Sequence, residues 1–187
     1  MTMNTHLSRR KFLQYTTGVA ALGLAPVAWA KTTPAEASEL TNQGLSFLNL
    51  HTGERLITDI HHAGATSFTD MRKVNHLLRD HRSGESYDMD PELLHFLSQL
   101  QEKVDVPGKF HIISGYRSPK TNSKLRSASK GVAKRSLHMQ GKAVDIRLPG
   151  CDLKQLRDAA KSLKCGGVGY YAKSGFIHVD TGRVRYW

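Results

Sequence analysis

The sequence predicts an α+β fold in which helices pack on one side of a small, mostly antiparallel sheet. Segments with apolar residues at helical spacing come early in the chain, and segments that alternate like strands come late. Helices and strands segregated in this way usually pack as helices on one face of an antiparallel sheet. Residues 31–187 are enough for one domain with one hydrophobic core, and they contain no internal repeat.

Residues 1–30 have the features of a bacterial export signal. Arg9, Arg10 and Lys11 precede an apolar run that ends in Ala-Trp-Ala, a typical cleavage pattern. The stretch SRRKFLQ resembles the signal of the twin-arginine pathway, and the run is too short to cross a bilayer comfortably. We therefore expect a twin-arginine signal peptide over 1–30 and a single periplasmic domain over 31–187. No stable membrane span is expected after cleavage, although retention of the signal as an anchor stays open.

The charge of the expected mature domain is strongly positive. The first thirty residues hold three of the 27 Lys and Arg and none of the 16 Asp and Glu, which leaves residues 31–187 with a net charge of +8. Such a surface attracts polyanions. Nucleic acid is the default partner of a basic cytoplasmic protein, but the export signal argues against it and favours the anionic cell envelope. A solvated basic surface without a specific role is the alternative.

The first half of the domain is predicted to contain a hairpin and two helices. LSFLNL at 45–50 and RLITDI at 55–60 alternate around a glycine turn, which favours paired strands. Residues 66–82 carry apolar side chains at helical spacing. Asp90, followed by a proline at the first helical position, is a strong start signal for a helix that reaches residue 104.

The second half of the domain is predicted to be richer in strands. In order, it contains a strand at 109–117, a helix at 119–129, a basic loop at 130–135, a strand late in 136–148, a helix at 152–164 and two strands within 166–182. Cys151 and Cys165 flank the last helix, whose ends lie about 18–20 Å apart. Because a disulfide requires Cα atoms within about 7 Å, we expect no bridge and two mostly buried thiols.

Polar residues of the late strands form a candidate metal site. Alternation places His178 and Asp180 on one face of their strand, with apolar neighbours turned to the core, and Asp145 projects in the same way from an earlier strand. His138 precedes a glycine that permits a sharp return. Two histidines and one aspartate suit a catalytic Zn²⁺ that keeps one open position for water. A lone His and Asp seven residues apart is nevertheless more often structural.

Several motifs together resemble the signature of the M15 metallopeptidases. They are S-x-H-x-x-G-x-A-x-D at 136–145, FIHVD at 176–180 and ISGYRSPKTN ending at residue 122. NLHTGE, GVAKRSLHMQGKAVD, GGVGYY and FIHVDTG before Trp187 bring the resemblance closest to the murein endopeptidase K subgroup, over essentially the whole mature chain. The resemblance implies a fold like that of Hedgehog and the DD-peptidases.

The resemblance also implies residue roles. His138, Asp145 and His178 are expected to bind one zinc ion per chain. Arg117 is expected in the cleft, where it would bind the substrate and steady the developing oxyanion through its planar fork. From the residues alone, a surface ion pair or a turn clamp is the alternative role of Arg117. Ser136 either hydrogen-bonds a ligand or substrate, or shapes the loop.

The sequence departs from the family pattern at the expected general base. Many relatives carry Glu, Asp or His two, three or six residues before the last metal ligand, where this chain has Phe176, Gly175 and Ala172. Asp180 is our candidate for the missing catalytic carboxylate, because it shares a strand face with His178. An Asx-type turn over residues 180–182 is the alternative reading.

These observations predict a monomeric, periplasmic, zinc-dependent murein endopeptidase. The resemblance implies hydrolysis of peptidoglycan peptide cross-links at meso-diaminopimelate, at 3-3 and possibly 4-3 links, by metal-activated water. One rival is a zinc carboxypeptidase that removes a terminal residue, with D-Ala-D-Ala or L,D specificity. Another is a catalytically silent, zinc-stabilised module that binds murein. Nucleic-acid binding would require the export signal to be nonfunctional.

Overall fold

The domain is built on a seven-stranded mixed sheet. The computed structural model describes residues 44–58, 68–129 and 131–187, all within one unit that spans residues 33–187. The predicted signal peptide, the end of the predicted strand at 59–60 and the start of the predicted helix at 66–67 lie outside the described residues.

The described residues form seven strands and four α-helices, which confirms the α+β class. In chain order they are β1 (Leu45–Asn49), β2 (Arg55–Thr58), α1 (Phe68–Leu77), α2 (Pro91–Val104), β3 (Phe110–Ser114), α3 (Pro119–Ala128), β4 (Ala143–Arg147), α4 (Leu153–Leu163), β5 (Gly167–Tyr171), β6 (Phe176–Asp180) and β7 (Arg185–Tyr186). Two short 3₁₀ turns, Leu137–Gln140 and Ala172–Ser174, precede β4 and β6.

The strand order is β2-β1-β3-β4-β6-β5-β7. Neighbouring strands run antiparallel except at β1–β3 and β5–β7, which are parallel. The prediction of a mostly antiparallel sheet therefore holds in outline, and the sheet is mixed. The parallel β1–β3 pair follows from the chain between them, because a parallel connection needs a long crossover, and here it contains α1 and α2.

The hydrophobic core lies on one face of the sheet. Inward side chains of β4 and β6, namely Val144, Ile146, Ile177 and Val179, are fully buried, as alternation predicts. Helices α2 and α4 pack against each other, and α4 packs against β5 and β6. The opposite face of the same central strands is thereby left for polar groups.

Helix starts agree with the sequence better than helix ends do. Asp90, Ser118 and Asp152 cap α2, α3 and α4 through their side chains. The helix predicted over 66–82 ends at Leu77, because the next backbone groups turn toward other elements: Leu78 O accepts the N–H of Tyr116.

The two cysteines are free, as predicted. They are only partly buried, however, and not mostly buried as the sequence suggested. Both flank α4 near its ends, where packing is incomplete. Among the described residues, no helix combines the length and apolar character needed to cross a bilayer.

Candidate metal centre and cleft

Two central strands and one turn bring the predicted metal ligands together. Asp145 on β4 pairs directly with His178 on β6 in the antiparallel register, so their side chains lie side by side on the polar face of the sheet. His138 lies in the 3₁₀ turn before β4. This turn ends at Gly141, whose φ is 67°. All three residues are buried, with exposed fractions of 3% to 7%.

Three ligand atoms of this triad converge on one point. Nε2 of His138 lies 3.1 Å from Nδ1 of His178, and Oδ1 of Asp145 lies 3.3 Å from the first nitrogen and 2.9 Å from the second. Zn²⁺ with bonds of about 2.0–2.1 Å in tetrahedral geometry separates neighbouring ligand atoms by about 3.3 Å. The triangle therefore has nearly the dimensions of three corners of such a site.

The outer ring nitrogens of the two histidines, which face away from the triad centre, are held by hydrogen-bond acceptors. Nδ1 of His138 donates to the carbonyl oxygen of Gly115 over 2.7 Å, and Nε2 of His178 donates to Oδ2 of Asp180 over 2.9 Å. Because a carbonyl and a carboxylate only accept, each ring holds a proton on its outer nitrogen. The inner nitrogen of His178 also lies 2.9 Å from Asp145 Oδ1, and a cation bound between the rings would take the place of any proton there. Two imidazole nitrogens and a carboxylate oxygen then face one another, a donor set that fits a cation.

Local electrostatics act differently on the two rings: burial opposes the charged form of His178, yet its hydrogen bonds to Asp145 and Asp180 raise its pKa. Burial lowers the pKa of His138 despite the neighbouring Asp145 charge, which keeps the ring neutral. Burial opposes ionisation of Asp145 and Asp180, yet their hydrogen bonds hold both carboxyl pKa values well below the usual range. Both carboxylates are therefore ionised at neutral pH.

Asp180 is the most deeply enclosed polar group of the site, with no exposed surface. Its Oδ1 accepts the backbone N–H groups of Gly167 and Gly182, and the guanidinium of Arg185 binds both carboxylate oxygens at 2.9 and 2.7 Å. The bond to Gly182 is the Asx-type turn that the sequence suggested. Oδ2 also receives the His178 proton. Every acceptor position facing the triad is therefore occupied.

Arg117 lies beside the triad. Its Nη2 donates to Ser114 Oγ at 3.2 Å and to Asp145 Oδ2 at 3.4 Å, while its Nε is buried without a partner among the described residues. Burial lowers the pKa of Arg117, and the charge of Asp145 opposes this shift. The following loop is fixed by the buried carboxylate of Asp80, which accepts the N–H of Ser118 at 3.0 Å.

The triad and Arg117 share a cleft of about 430 Å³. Ser136 also lines it; this residue is buried, precedes the 3₁₀ turn of His138 and makes no side-chain capping bond. The further lining residues include Tyr171, Arg185 and Trp187, which were not singled out as site residues from the sequence.

Comparison of the sequence with known proteins identifies the family of the chain. The family model described as peptidoglycan L,D-endopeptidase MepK, within the M15 peptidases, matches residues 37–187. The chain belongs to this family. The curated MepK of Escherichia coli strain K12 is 40% identical over 182 residues, which cover 96% of this chain and 97% of that protein. A probable MepK of Haemophilus influenzae is 43% identical over 144 residues, or 76% of this chain and 77% of that protein. The resemblance deduced from the motifs is thus confirmed.

The glycines of GGVGYY at 166–171 allow the C-terminal residues Arg185 and Trp187 to pack close to β5. A Cβ on Gly169 would lie 2.6 Å from the Trp187 indole, and one on Gly167 would approach the Arg185 guanidinium. The glycines therefore leave room for two side chains that pack over β5. Alternating glycines in a strand were the sequence signal that could have revealed a close approach here.

The positions two, three and six residues before His178 hold Phe176, Gly175 and Ala172, so none of them carries an acidic side chain. Ala172 and Gly175 belong to the 3₁₀ turn and its cap, and Phe176 stacks on Tyr171 with ring centroids 4.7 Å apart. None of these three side chains can move a proton. Any proton transfer must therefore use another group.

Proposed function

We propose that this chain is a metal-dependent peptidoglycan endopeptidase that hydrolyses peptide cross-links at meso-diaminopimelate. The observation that carries the proposal is the convergence of three candidate ligand atoms beside Arg117 in one cleft, in a chain of the L,D-endopeptidase MepK family. The name of the relatives favours 3-3 links, in which an L-centre carbonyl is joined to a D-centre amine, over 4-3 links.

The proposed ligands are His138, Asp145 and His178, and the proposed metal is one Zn²⁺ per chain. Two imidazoles and one carboxylate are a donor set that zinc accepts in hydrolytic enzymes. Bound there, zinc would supply a Lewis acid that activates water and polarises a carbonyl. The protein's part is to hold the three donors by the outer hydrogen bonds to Gly115 and Asp180.

Arg117 is proposed to bind the scissile carbonyl and the oxyanion that forms from it. Its Nη2 is anchored by Ser114 and Asp145, so the orientation of the guanidinium is fixed before the substrate enters. The side chain lines the cleft, where its guanidinium can donate to a substrate oxygen. Prearranged donors of this kind stabilise charge that develops in the transition state. The hydroxyl of Ser136 is proposed as a further substrate contact.

Asp180 is proposed to act through His178 and not on the substrate. The sequence suggested it as the missing catalytic carboxylate, but its oxygens are taken by His178, Arg185 and two backbone N–H groups. A buried carboxylate on the outer nitrogen of a ligand histidine fixes the tautomer and raises the basicity of the ring. We therefore assign Asp180 as a positioning residue.

The cellular location and export route of the enzyme are proposed from its N-terminal sequence and its proposed substrate. We place the domain in the periplasm as a monomer with a Hedgehog/DD-peptidase-like fold, exported through SRRKFLQ, because its proposed substrate is there. Replacing Arg9 and Arg10 by lysines should retain the protein in the cytoplasm. Equal periplasmic levels of the two forms in cell fractions would refute the twin-arginine route.

The function is tested with defined substrates. Zinc-loaded residues 31–187 and the His178→Ala variant are incubated with purified sacculi and with 3-3 and 4-3 muropeptide dimers, and products are identified by mass spectrometry. Conversion of dimers to monomers by the wild type alone supports the endopeptidase. Release of only a terminal residue would instead indicate a carboxypeptidase. Zinc binding without any product would indicate a murein-binding module, which the missing upstream base favours.

A further inference from the structure

Tyr171 places a hydroxyl in the cleft that the proposed function has not used. It is the last residue of β5 and lines the cleft together with Arg117, His138 and His178. Its ring is partly buried and stacks on Phe176 at an interplanar angle of 20°. The ring is therefore held in place beside the triad.

The direction of the Tyr171 hydroxyl is set by Trp187. The indole Nε1–H donates to the phenol oxygen over 2.9 Å. Because an indole nitrogen can only donate, the phenol oxygen must accept, and its own proton must point elsewhere. Within the described part of the chain no acceptor receives that proton, so it is available to a ligand in the cleft.

Several donors beside the triad are already committed. The outer N–H groups of His138 and His178 donate to Gly115 and Asp180, and the Arg185 guanidinium is bound to the same Asp180 carboxylate. The phenol of Tyr171, by contrast, can still donate to a substrate oxygen, as can the hydroxyl of Ser136.

We propose that Tyr171 is a catalytic residue that donates a hydrogen bond to the oxyanion formed from the scissile carbonyl, complementing Arg117. This assignment rests on the proposed function. The donation moves no proton and leaves the phenol neutral, so it requires no general base. It gives the cleft a further prearranged donor beside Arg117. Trp187 is a positioning residue, because it acts through the phenol oxygen.

The experiment compares Tyr171→Phe with Tyr170→Phe in zinc-loaded residues 31–187. Tyr171→Phe keeps the ring that stacks on Phe176 and removes only the hydroxyl. Tyr170 is the matched control, because it packs toward the core side of β5, under the Arg157 guanidinium at 4.7 Å. The measurements are kcat and KM on the cross-linked dimer that the wild type cleaves, zinc content, and affinity for a phosphinate analogue of the cross-link.

We expect Tyr171→Phe to lower kcat by about 10²-fold, as loss of one oxyanion donor does. KM and zinc content should stay within about twofold, while phosphinate binding weakens in parallel with kcat because the analogue resembles the transition state. Tyr170→Phe should match the wild type. Trp187→Phe, which removes the indole donor, should give a smaller loss of kcat.

Three outcomes would overturn the assignment. Unchanged kcat in Tyr171→Phe would show that the hydroxyl is not used. A higher KM with unchanged kcat would assign it to ground-state binding, and a loss of zinc would assign it to the metal site. Failure of the proposed function is distinguishable, because the wild type itself would then release no monomer from either dimer and would not bind the phosphinate.

Discussion

His178 shows how the site is determined at the scale of single residues. One ring nitrogen faces the other ligand atoms because the second nitrogen is held by Asp180. Arg185 in turn binds both oxygens of that carboxylate and prevents it from rotating toward the cleft. The geometry of the candidate ligands is thus fixed by residues outside the triad.

Replacing Asp180 by asparagine should weaken metal binding. An amide nitrogen in place of Oδ2 would face the His178 N–H, which favours the other ring tautomer and places a proton on the ligand nitrogen. Loss of such a partner typically costs 10- to 100-fold in metal affinity, so we expect about that decrease. Trp187 is the only tryptophan in residues 31–187 and its ring lies 5.3 Å from that of His178, so its fluorescence can report zinc titrations.

Asp158→Asn is the control for this experiment, because Asp158 pairs with Arg157 on the exposed surface of α4. It should bind zinc like the wild type. If Asp180→Asn kept full zinc affinity but lost turnover, the positioning role would be wrong and the direct catalytic role expected from the sequence would be favoured.

Arg117 should not be replaceable by lysine. A lysine keeps the positive charge, but it lacks the planar fork that contacts Ser114 and Asp145 while also facing the cleft. We expect Arg117→Lys to lower kcat by about 10²-fold on the preferred dimer with zinc content unchanged. Arg157→Lys on the exposed surface should have no effect, and equal rates for both variants would contradict the role of Arg117.

The sequence predicted the triad but not its surroundings. Strand alternation alone places Asp145 and His178 on the polar face, since their neighbours Val144 and Ile177 must enter the core. Tyr171 and Trp187 meet only because β5 pairs with the chain end, and that contact has no local pattern. Residue identity thus predicted the candidate ligands, whereas tertiary pairing decides which hydrogen-bond donors lie beside them.

At the scale of elements, β5 needs glycine at position 169 because the Trp187 ring packs directly against its backbone. A methyl group on Gly169 would lie 2.6 Å from the Trp187 ring and would displace the indole. Gly169→Ala should therefore lower the free energy of unfolding by about 1–3 kcal/mol, a typical cost of overpacking. It should also change the Trp187 fluorescence spectrum.

Gly131→Ala is the matched control for stability, because the nearest atom to its new methyl lies 3.7 Å away. It should unfold at the wild-type denaturant concentration. Wild-type fluorescence and stability in Gly169→Ala would show that the indole does not depend on the glycine.

Helix α2 is tied to the site through its N-cap. Asp90 accepts the N–H of Glu92 in the manner of a cap, and its second oxygen accepts the hydroxyl of Thr181, directly after β6. Asp152 caps α4 through two local bonds only. Asp152→Ala should cost about 1 kcal/mol, and Asp90→Ala about 0.5–1.5 kcal/mol more through the lost bond to Thr181.

Urea unfolding followed by circular dichroism measures this difference. Equal losses for the two alanine variants would show that the bond to Thr181 contributes nothing to stability. Thr181→Val provides the reciprocal check, because it removes the same hydrogen bond without removing the cap.

Helix starts could be predicted from the sequence, whereas helix ends and edge strands could not. The caps at Asp90, Ser118 and Asp152 are local chemistry, so the helix starts were predicted correctly. The end of α1 at Leu77 and the short edge strand β7 depend on distant partners: Leu78 turns to Tyr116, and β7 exists only as a neighbour of β5. Ends and edges therefore require the tertiary structure.

At the scale of the whole molecule, the net charge of +8 over residues 31–187 should attract the enzyme to the sacculus before a peptide enters the cleft. Peptidoglycan carries many carboxylates, and a basic surface raises the local concentration of such a polymer. This attraction is long-range and exposed to solvent, so salt should screen it. The cleft chemistry depends instead on buried contacts such as those of Arg117 and Asp145.

Salt should therefore separate sacculus binding from turnover. The screening length falls from about 10 Å at 0.1 M salt to about 3 Å at 1 M. Cosedimentation of the inactive His178→Ala variant with sacculi should decrease several-fold over that range. Cleavage of a soluble dimer by the wild type should change by less than about threefold, because buried pairs are screened much less. Sacculus binding that is insensitive to salt would show that the basic surface has no part in recognition, and that the cleft alone accounts for the affinity.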